Sequence, residues 1–565
     1  METNFNYLNK LSKQCRKDLS TFRIALLGDT VTQFLATAIK GVGQVRNFNI
    51  EILDTDFNQI EIQFFNEDSD FHKFDADYVI VFQSTHKLLN TQKMNDDLAE
   101  NRLYLIEKIL NTCNKKIIYF NYAEIDDSIF GSLANKLEAS FIYQVRKLNF
   151  YLMNLAMKNS NLYILDIAGI QSKYGRDFMF SSTIYANTEM VLSLDCLPIV
   201  AGRILDIICA NRGILKKCVV LDLDNTLWGG IVGDDGMENL KLGHGLGIGK
   251  IFVEFQEWLR KLKERGIILA VCSKNNENTA KEVFEKHPEM VLRLEDISVF
   301  IANWENKTDN IRKIQSILNI GFDSIVFIDD NPAEREFVRQ SLPAVCVPEM
   351  PKDPAEWLEF FYGENFFETT FFSQEDRDRT KQYREQAERV ASEQAFTNEA
   401  DFLKSMEMKC EVSEFTKFNT PRVAQLSLRS NQFNLRTVRY SETDIQNMAD
   451  NDNYKGFVFS LRDKFGDNGL IAVVILEKQA KNLFVESWFM SCRVLKRGIE
   501  YFALNAIVRY AKKNKFEKIV GEYLPTAKNK LVENHYQDLG FHLSTDGKFE
   551  LNVCDYVEKE CFINI

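Results

Sequence analysis

Strand-like and helical patterns alternate four times in the middle of the chain, and no other feature restricts the fold as strongly. Short apolar runs typical of buried strands lie at residues 217–221, 267–272, 299–302 and 324–328. Amphipathic patterns typical of helices lie at residues 250–265, 277–287, 308–318 and 333–340. Such an alternation buries its apolar faces best as a parallel sheet covered by helices. We therefore predict an α/β domain in this region.

Polar residues follow these strands at the point where each one ends. In chain order they are Asp222, Asp224 and Thr226 after the first strand, Ser273 at the end of the second, Lys307 just past the third, and Asp329 and Asp330 after the fourth. Open α/β sheets bind their ligands at the edge formed by the carboxyl ends of the strands. We therefore expect these side chains to meet in one site.

Four of these residues are carboxylates, and this favours a magnesium site. Mg²⁺ takes oxygen ligands and commonly uses carboxylates together with phosphate oxygens and water. A cation of this kind lets a carboxylate approach an anionic phosphoryl group. The predicted metal ligands are Asp222, Asp224, Asp329 and Asp330.

The remaining residues fit the steps of phosphoryl transfer. Asp222 is the predicted nucleophile. Asp224, two residues later, is placed to protonate the leaving oxygen and then to activate the acceptor. Thr226 and Ser273 are hydrogen-bond donors for the transferring oxygens, and Lys307 neutralises the charge that develops there.

Three longer strings carry a resemblance to a known family. They are LDLDNTLWGGIVG at residues 221–233, VCSKN at residues 271–275 and FIDDNPAER at residues 327–335. With Lys307 they resemble the four motifs of the haloacid dehalogenase (HAD) superfamily, and more narrowly its FkbH-like branch, HAD subfamily IIIC. Further similar stretches lie at residues 431–435, 463–469, 491–498 and 521–529. The resemblance implies a Rossmann-like HAD domain with Mg²⁺-dependent phosphatase or phosphotransferase activity.

The spacing of the motifs predicts a minimal cap. Asp222 and Cys272 are only 50 positions apart, and 33 residues lie between Ser273 and Lys307, which leaves no room for a lid domain. An open site admits a bulky or tethered substrate. FkbH-like proteins are associated with taking a glyceryl unit from 1,3-bisphosphoglycerate, dephosphorylating it and loading it on an acyl carrier protein. The resemblance thus implies a phosphorylated small molecule and an acyl carrier protein as partners.

Acyl loading raises the question of a thiol. Cys272, next to Ser273, is the nearest thiol in sequence to the phosphate site, and its thiolate would accept an acyl group. The alternatives are a direct handover to the phosphopantetheine arm of the carrier, or a Cys272 that is only a buried strand residue. Strand alternation points Cys272 away from Ser273.

The C-terminal part resembles the GCN5-related acetyltransferase (GNAT) fold. A hairpin at residues 469–490, a helix at 498–511 and a strand at 518–523 give the order of elements. The GNAT loop that holds the pyrophosphate of coenzyme A (CoA) is matched at its ends, while Lys496 replaces the middle glycine. The predicted residues for CoA or phosphopantetheine are Arg493, Lys496, Arg497 and Gly498, and the alternative is a purely structural role for this loop. Tyr536 is either a general acid or a core residue.

The N-terminal part alternates strand candidates at residues 22–27, 78–82, 116–120 and 162–166 with helical patterns, which predicts another α/β domain. Gly28-Asp29-Thr30 resembles the opening block of SGNH hydrolases, so the fold is expected to be SGNH-like or flavodoxin-like. No D-x-x-H base motif follows, and only His72 and His86 precede the centre. We expect a non-catalytic docking domain.

The predicted organisation has four parts. They are an SGNH-like domain at residues 1–212, the HAD-like domain at 213–372, an exposed linking helix at 373–396 and a GNAT-like domain at 397–565. Many opposite charges at i,i+4 spacing indicate that the linking helix is solvated.

Composition narrows the function classes. The net charge of −12 with no basic tract argues against nucleic acid as a partner. No apolar run is long enough to span a membrane. Eleven scattered cysteines suit a reducing cytoplasm. Three functions stay open: an FkbH-like enzyme that loads a carrier, an uncapped phosphatase acting on another substrate, and a CoA-dependent acyltransferase supported by the HAD domain.

Overall fold

The computed structural model describes residues 4–17, 19–91, 97–372, 374–393, 396–526 and 528–564. It forms two compact units, Met1–Cys209 and Ala210–Ile565, each of which is described by itself. The domain boundaries predicted above remain predictions. Within the described ranges, no helix is long and apolar enough to cross a membrane.

The first unit is built on a five-stranded parallel sheet. Its strands are β1 (Thr21–Gly28), β2 (Asn49–Asp54), β3 (Tyr78–Phe82), β4 (Lys116–Phe120) and β5 (Leu162–Leu165). They pair in the order β2-β1-β3-β4-β5, one of the common doubly wound orders. The helices are Phe5–Leu11, Gln33–Val45, Ile60–Phe65, Asp70–Phe74, Thr85–Thr91, Leu98–Thr112, Phe141–Lys158, Ile167–Tyr174, Arg176–Met179, Ser182–Thr188 and Leu197–Asn211. The predicted α/β alternation is present, and the SGNH resemblance stays a prediction.

Both faces of this first sheet are covered. Successive residues of β1 contribute to opposite cores, with Ile24 and Leu26 in one and Ala25 and Leu27 in the other. All four side chains are fully buried. A strand that is buried on both sides reads as a continuous apolar run, which is why the sequence shows it clearly.

The second unit contains the predicted central sheet. Its strands are β6 (Cys218–Leu221), β7 (Ile268–Ser273), β8 (Ile297–Ala302) and β9 (Ile325–Ile328), in the order β8-β7-β6-β9 and all parallel. Each lies within two residues of a strand predicted from the sequence. The helices that belong with this sheet are Val232–Asp235, Ile248–Glu264, Glu277–Lys286, Lys307–Leu318, Pro332–Ser341 and Trp357–Glu364. Local signals start two of them, since Asn276 caps one helix and Asn331 with Pro332 begins another.

An eight-stranded, mostly antiparallel sheet forms the rest of the second unit. Its strands are β10 (Met408–Ser413), β11 (Tyr454–Asp463), β12 (Gly466–Gln479), β13 (Asn482–Met490), β14 (Lys518–Gly521), β15 (His542–Leu543), β16 (Phe549–Asn552) and β17 (Ile563–Asn564). The order is β15-β16-β14-β13-β12-β11-β10-β17. The helices are Glu399–Ser405, Thr420–Arg429, Glu442–Ala449, Ile499–Lys513 and His535–Asp538. The predicted hairpin is β12–β13, in which Gln479 opposes Asn482.

The helix predicted to be an exposed linker is instead packed inside the second unit, and that expectation is wrong. It runs as Gln374–Arg377 and Arg379–Glu393. Tyr383 is buried in the core beneath the central sheet, with Ala387 packed against that core one turn later. Arg389 is also buried, and its guanidinium donates to the Asp463 carboxylate at 2.9 and 3.0 Å. The charge pattern predicted a solvated helix because it does not show that Arg389 pairs with Asp463, at the end of the distant strand β11.

Candidate active site

The parallel register of the central sheet brings the predicted polar residues to one edge. Leu221 at the end of β6 lies opposite Val271 of β7 and Ile328 of β9. The residues that follow these strands therefore leave the sheet side by side. Lys307 arrives from the neighbouring strand β8 as the first residue of its helix.

Three carboxylates and one ammonium group form the centre of this edge. Asp222, Asp329 and Asp330 each place an oxygen within 4.8 Å of the others. Lys307 Nζ lies 3.0 Å from Asp222 Oδ1 and 2.5 Å from Asp329 Oδ2. Three negative charges therefore face a single positive one.

The electrostatics of this cluster fit a divalent cation. Burial raises the pKa of Asp329 above its usual range, and the nearby Asp222 charge raises it further. The pKa of Asp330 is raised for the same two reasons. Burial alone would lower the pKa of Lys307, but the two carboxylates it contacts outweigh this and raise it. One lysine does not balance three carboxylates, and a hard cation with oxygen ligands would.

Asp224 departs from the four-carboxylate metal site predicted from the sequence. Its carboxylate accepts hydrogen bonds from Trp228 Nε1 at 2.9 Å, Val232 N at 3.1 Å and Asn275 Nδ2 at 2.9 Å. These donors hold the side chain outside the cluster of Asp222, Asp329 and Asp330. Burial nevertheless raises the pKa of Asp224, which suits a group that has to carry a proton.

Thr226 and Ser273 lie at the same edge. Thr226 is fully buried, and its Oγ1 accepts a hydrogen bond from the backbone N–H of Asp330 at 3.2 Å. It thereby fixes the loop that carries two of the carboxylates. Ser273 is 2% exposed at the end of β7.

Sequence reasoning missed the residues that support these side chains. Arg335 is buried and donates to the carbonyl oxygens of Asp329 at 2.9 Å and Asp330 at 2.8 Å, while it also contacts Glu349. Trp228 and Asn275 donate to the carboxylate of Asp224 and fix its position. All three lie inside the motif strings, so their side-chain donors were a signal that was available.

Known proteins resemble both the first unit and the greater part of the chain. A family model described as FkbH, N-terminal domain, matches residues 23–209. The crystal structure of the N-terminal part of the protein BF1531 from Bacteroides fragilis, containing a phosphatase domain complexed with Mg, is 55% identical to this chain. The match covers 65% of this chain and 100% of that one, with a TM-score of 0.64. The chain belongs to the FkbH-like HAD family.

Other matches are more distant. The ribosomal-protein-S18-alanine N-acetyltransferase from Escherichia coli is 16% identical over 27% of this chain and 98% of its own, with a TM-score of 0.21. We draw no conclusion from a match at this level. A comparison with curated protein sequences gives no match.

Cys272 does not match the role of acyl acceptor in this FkbH-like chain. Its side chain is fully buried and packs in the core, as strand alternation indicates. Sγ lies 3.6 Å from the carbonyl oxygen of Lys307. Burial raises the pKa of the thiol to about 12, so little thiolate is present at neutral pH.

The loop predicted to hold CoA is already engaged by the chain itself. Burial raises the pKa of the Glu500 carboxylate, and the nearby backbone N–H groups of Glu500, Lys496 and Gly498 lower it in part. Arg497 is buried and contacts Asp463 at 3.2 Å. Arg493 is buried as well and donates to Gln382 of the packed helix. A carboxylate of the following helix thus lies close to the backbone N–H groups of the expected phosphate cradle.

Tyr536 matches the core alternative. It is 1% exposed, and its ring packs against Phe541 and Phe549. Burial raises the pKa of its hydroxyl above the usual range.

In the first unit, the hydrolase-like block shows no activated hydroxyl. Thr30 is fully buried, and within the described ranges its Oγ1 has no hydrogen-bond partner. Burial lowers the pKa of His86 to about 4, and its ring packs against Phe180 and Tyr185. The Asp29 carboxylate accepts the backbone N–H of Ser84 at 2.9 Å. The non-catalytic role of this domain stays a prediction.

Proposed function

We propose that this chain is a Mg²⁺-dependent HAD phosphatase or phosphotransferase that processes a phosphorylated acyl unit, of the glyceryl type, for loading on an acyl carrier protein. The observation that carries the proposal is the cluster of the buried Asp222 and Asp329 and the partly buried Asp330 around Lys307. The Mg²⁺ complexed in the Bacteroides fragilis structure supports the same metal here.

The three carboxylates would hold the cation, which supplies charge neutralisation next to the phosphoryl group. Asp222 would attack phosphorus and form an acyl phosphate on its own carboxylate. Lys307 holds Asp222 in place and offsets negative charge as the bond to the leaving group breaks. Asp224, with its raised pKa, would give a proton to the leaving oxygen and take one from the incoming acceptor.

An open cleft beside the cluster supports a large or tethered substrate. It has a volume of about 720 Å³, and its lining includes Asp330 together with Gly229 and Gly230. Lys241 and Lys352, both exposed, also line it. Two cations at this position would favour a substrate with a second anionic group, or an acidic carrier.

Because Cys272 is buried, we consider a transfer of the acyl unit that does not pass through this cysteine. A direct handover to the carrier's thiol needs no cysteine of this chain. In that step the carrier thiolate attacks the acyl carbonyl, a thioester forms, and the bond to the leaving phosphate breaks. The buried thiol also favours a second candidate, a phosphatase that releases phosphate without any acyl transfer.

The test pairs two aspartates. Asp222→Asn should abolish phosphate release from glyceryl phosphates in the presence of Mg²⁺. Asp309→Asn should retain it, because Asp309 is exposed in the first turn of the helix that begins at Lys307. Intact-mass analysis of a carrier incubated with the wild-type protein and a panel of phosphorylated acids then separates the candidates. An added acyl mass supports loading, phosphate release alone supports the simple phosphatase, and no release by the wild type rejects both.

A further inference from the structure

A cavity of about 220 Å³ lies inside the second unit at the opposite edge of the central sheet from Asp222. Lys217, Ile268 and Ser324, which line it, stand at or just before the starts of β6, β7 and β9. The phosphoryl-transfer residues follow the ends of the same strands. At about 3.3 Å per residue, β6 separates Lys217 from Asp222 by about 16 Å. The cavity is therefore a different site.

The cavity wall also draws on the stretches of FkbH-like character that the phosphoryl-transfer site leaves unused. Residues 431–433, 491–493 and 528 all line it. These come from three separate parts of the C-terminal sheet and its connections. These three stretches, which are far apart in sequence, therefore line the same cavity.

Basic side chains dominate the lining. Six of them face a single acidic residue, Asp323, and they are Lys217, Arg379, Arg422, Arg429, Arg493 and Lys528. Some of this charge is compensated within the chain. Lys528 pairs with Asp323, and Arg379 and Arg429 both contact the buried Asp376 behind the wall.

Two of the cations have only neutral partners within the described part of the chain. Lys217 Nζ donates to the carbonyl oxygen of Arg429 at 3.2 Å. Arg493, 7% exposed, donates to Ser491 Oγ, to Gln382 Oε1 and to the carbonyl oxygen of Asn468. Burial, together with the nearby Arg379, lowers the pKa of both groups. Asp323 offsets part of the charge of Lys217, which is partly buried. An anion in the cavity would offset the remaining cost of placing Lys217 and Arg493 there.

We propose that this cavity binds a small organic phosphate through Lys217 and Arg493. A planar guanidinium group donates paired hydrogen bonds to two oxygens of a phosphate, and an ammonium group adds a point charge. Leu426, Phe433 and Met490 add apolar surface for a short carbon chain. The volume lies below the roughly 300–1,000 Å³ of pockets for drug-sized ligands, which favours a phosphorylated three-carbon acid over a molecule as large as CoA.

The experiment measures binding without catalysis, so its result does not depend on the proposed reaction. Full-length Asp222→Asn protein in EDTA is titrated calorimetrically with 3-phosphoglycerate. The expected dissociation constant is below about 1 mM. Lys217→Gln and Arg493→Gln, each added to that background, should weaken binding at least tenfold. Arg509→Gln is the matched control, because Arg509 is 53% exposed and lies outside the cavity; its affinity should be unchanged.

Each outcome decides the proposal. Absence of binding overturns it, as does binding that survives both substitutions or that falls equally in Arg509→Gln. Circular dichroism melts show whether Arg493→Gln stays folded; if it does not, Lys217→Gln and the charge-preserving Arg493→Lys carry the comparison. A parallel titration with 4′-phosphopantetheine identifies the source of the phosphate, since tighter binding with the same sensitivity to Lys217→Gln assigns it to a carrier arm.

Discussion

Replacing Lys307 with Gln should destabilise the second unit in the absence of metal. Lys307 is 3% exposed and compensates two buried carboxylates, Asp222 and Asp329. Removing one partner of a buried charge pair typically costs about 3–5 kcal/mol, because the remaining charge is left unpaired. Asp330, in the same cluster, adds to the repulsion.

The size of the unit converts this cost into a melting temperature. With about 2.1 cal/mol/K of unfolding entropy per residue, the unit Ala210–Ile565 loses about 0.7 kcal/mol of stability per degree near its midpoint. The expected shift is therefore about 4–7 °C downward in differential scanning calorimetry with EDTA present. Lys313→Gln, on the same helix but 50% exposed, is the control and should shift the midpoint by less than about 1 °C.

The same prediction extends to the effect of Mg²⁺ on the melting temperature. A cation bound by Asp222, Asp329 and Asp330 would supply the charge that Lys307→Gln removes, and binding to the folded state raises its stability. Excess Mg²⁺ should therefore raise the midpoint of Lys307→Gln by more than that of the wild type. If Lys307→Gln melts together with the wild type in EDTA, the charge-compensation argument fails.

Three further predictions concern groups outside this cluster. Burial lowers the pKa of His535 to about 3 from 6.5, so the second unit should lose up to about 5 kcal/mol of stability as pH falls through this range, and His535→Leu should flatten the loss in acid denaturation curves. Burial raises the pKa of Asp29 to about 6 from 3.8, so the first unit should lose about 3 kcal/mol as pH rises from about 4 to 6, a dependence that melts of Asp29→Asn should lack. Glu500→Ala removes the carboxylate that lies near the backbone N–H groups of Lys496 and Gly498, and urea denaturation should show a loss of about 1–3 kcal/mol. Calorimetric titration with pyrophosphate should show a gain in affinity in the same variant, and an unchanged affinity would contradict the view that Glu500 fills this cradle.

The central sheet could be predicted from the sequence because its signals are local. Strands buried on both faces give uninterrupted apolar runs, and parallel pairing places the residues that follow them at one edge. Asp222, Lys307 and Asp329 could therefore be grouped from the sequence alone. The same reasoning assigned Cys272 to the opposite side of its strand from Ser273, and its thiol is buried in the core.

The features that sequence reasoning missed depend on contacts between distant residues. Arg389 pairs with Asp463, 74 positions away, which turns an apparently solvated helix into a buried one. Asp224 looks equivalent to Asp222 in the motif, yet Trp228 and Asn275 direct its carboxylate elsewhere. Residue type and spacing do not record which donors a carboxylate will meet in three dimensions.

Two groups that would give the chain an acyl-transfer step of its own are used to build its fold. Cys272 would need a low pKa and access to substrate, and it has neither. The loop before the helix Ile499–Lys513 would need free N–H donors, and the Glu500 carboxylate lies close to two of them. Under the proposed function, the thiol of the carrier itself would accept the acyl unit at the open cleft beside Asp330. On this reasoning Cys272→Ala should keep full loading activity, and loss of loading with retained phosphate release in that variant would return the acyl step to this chain.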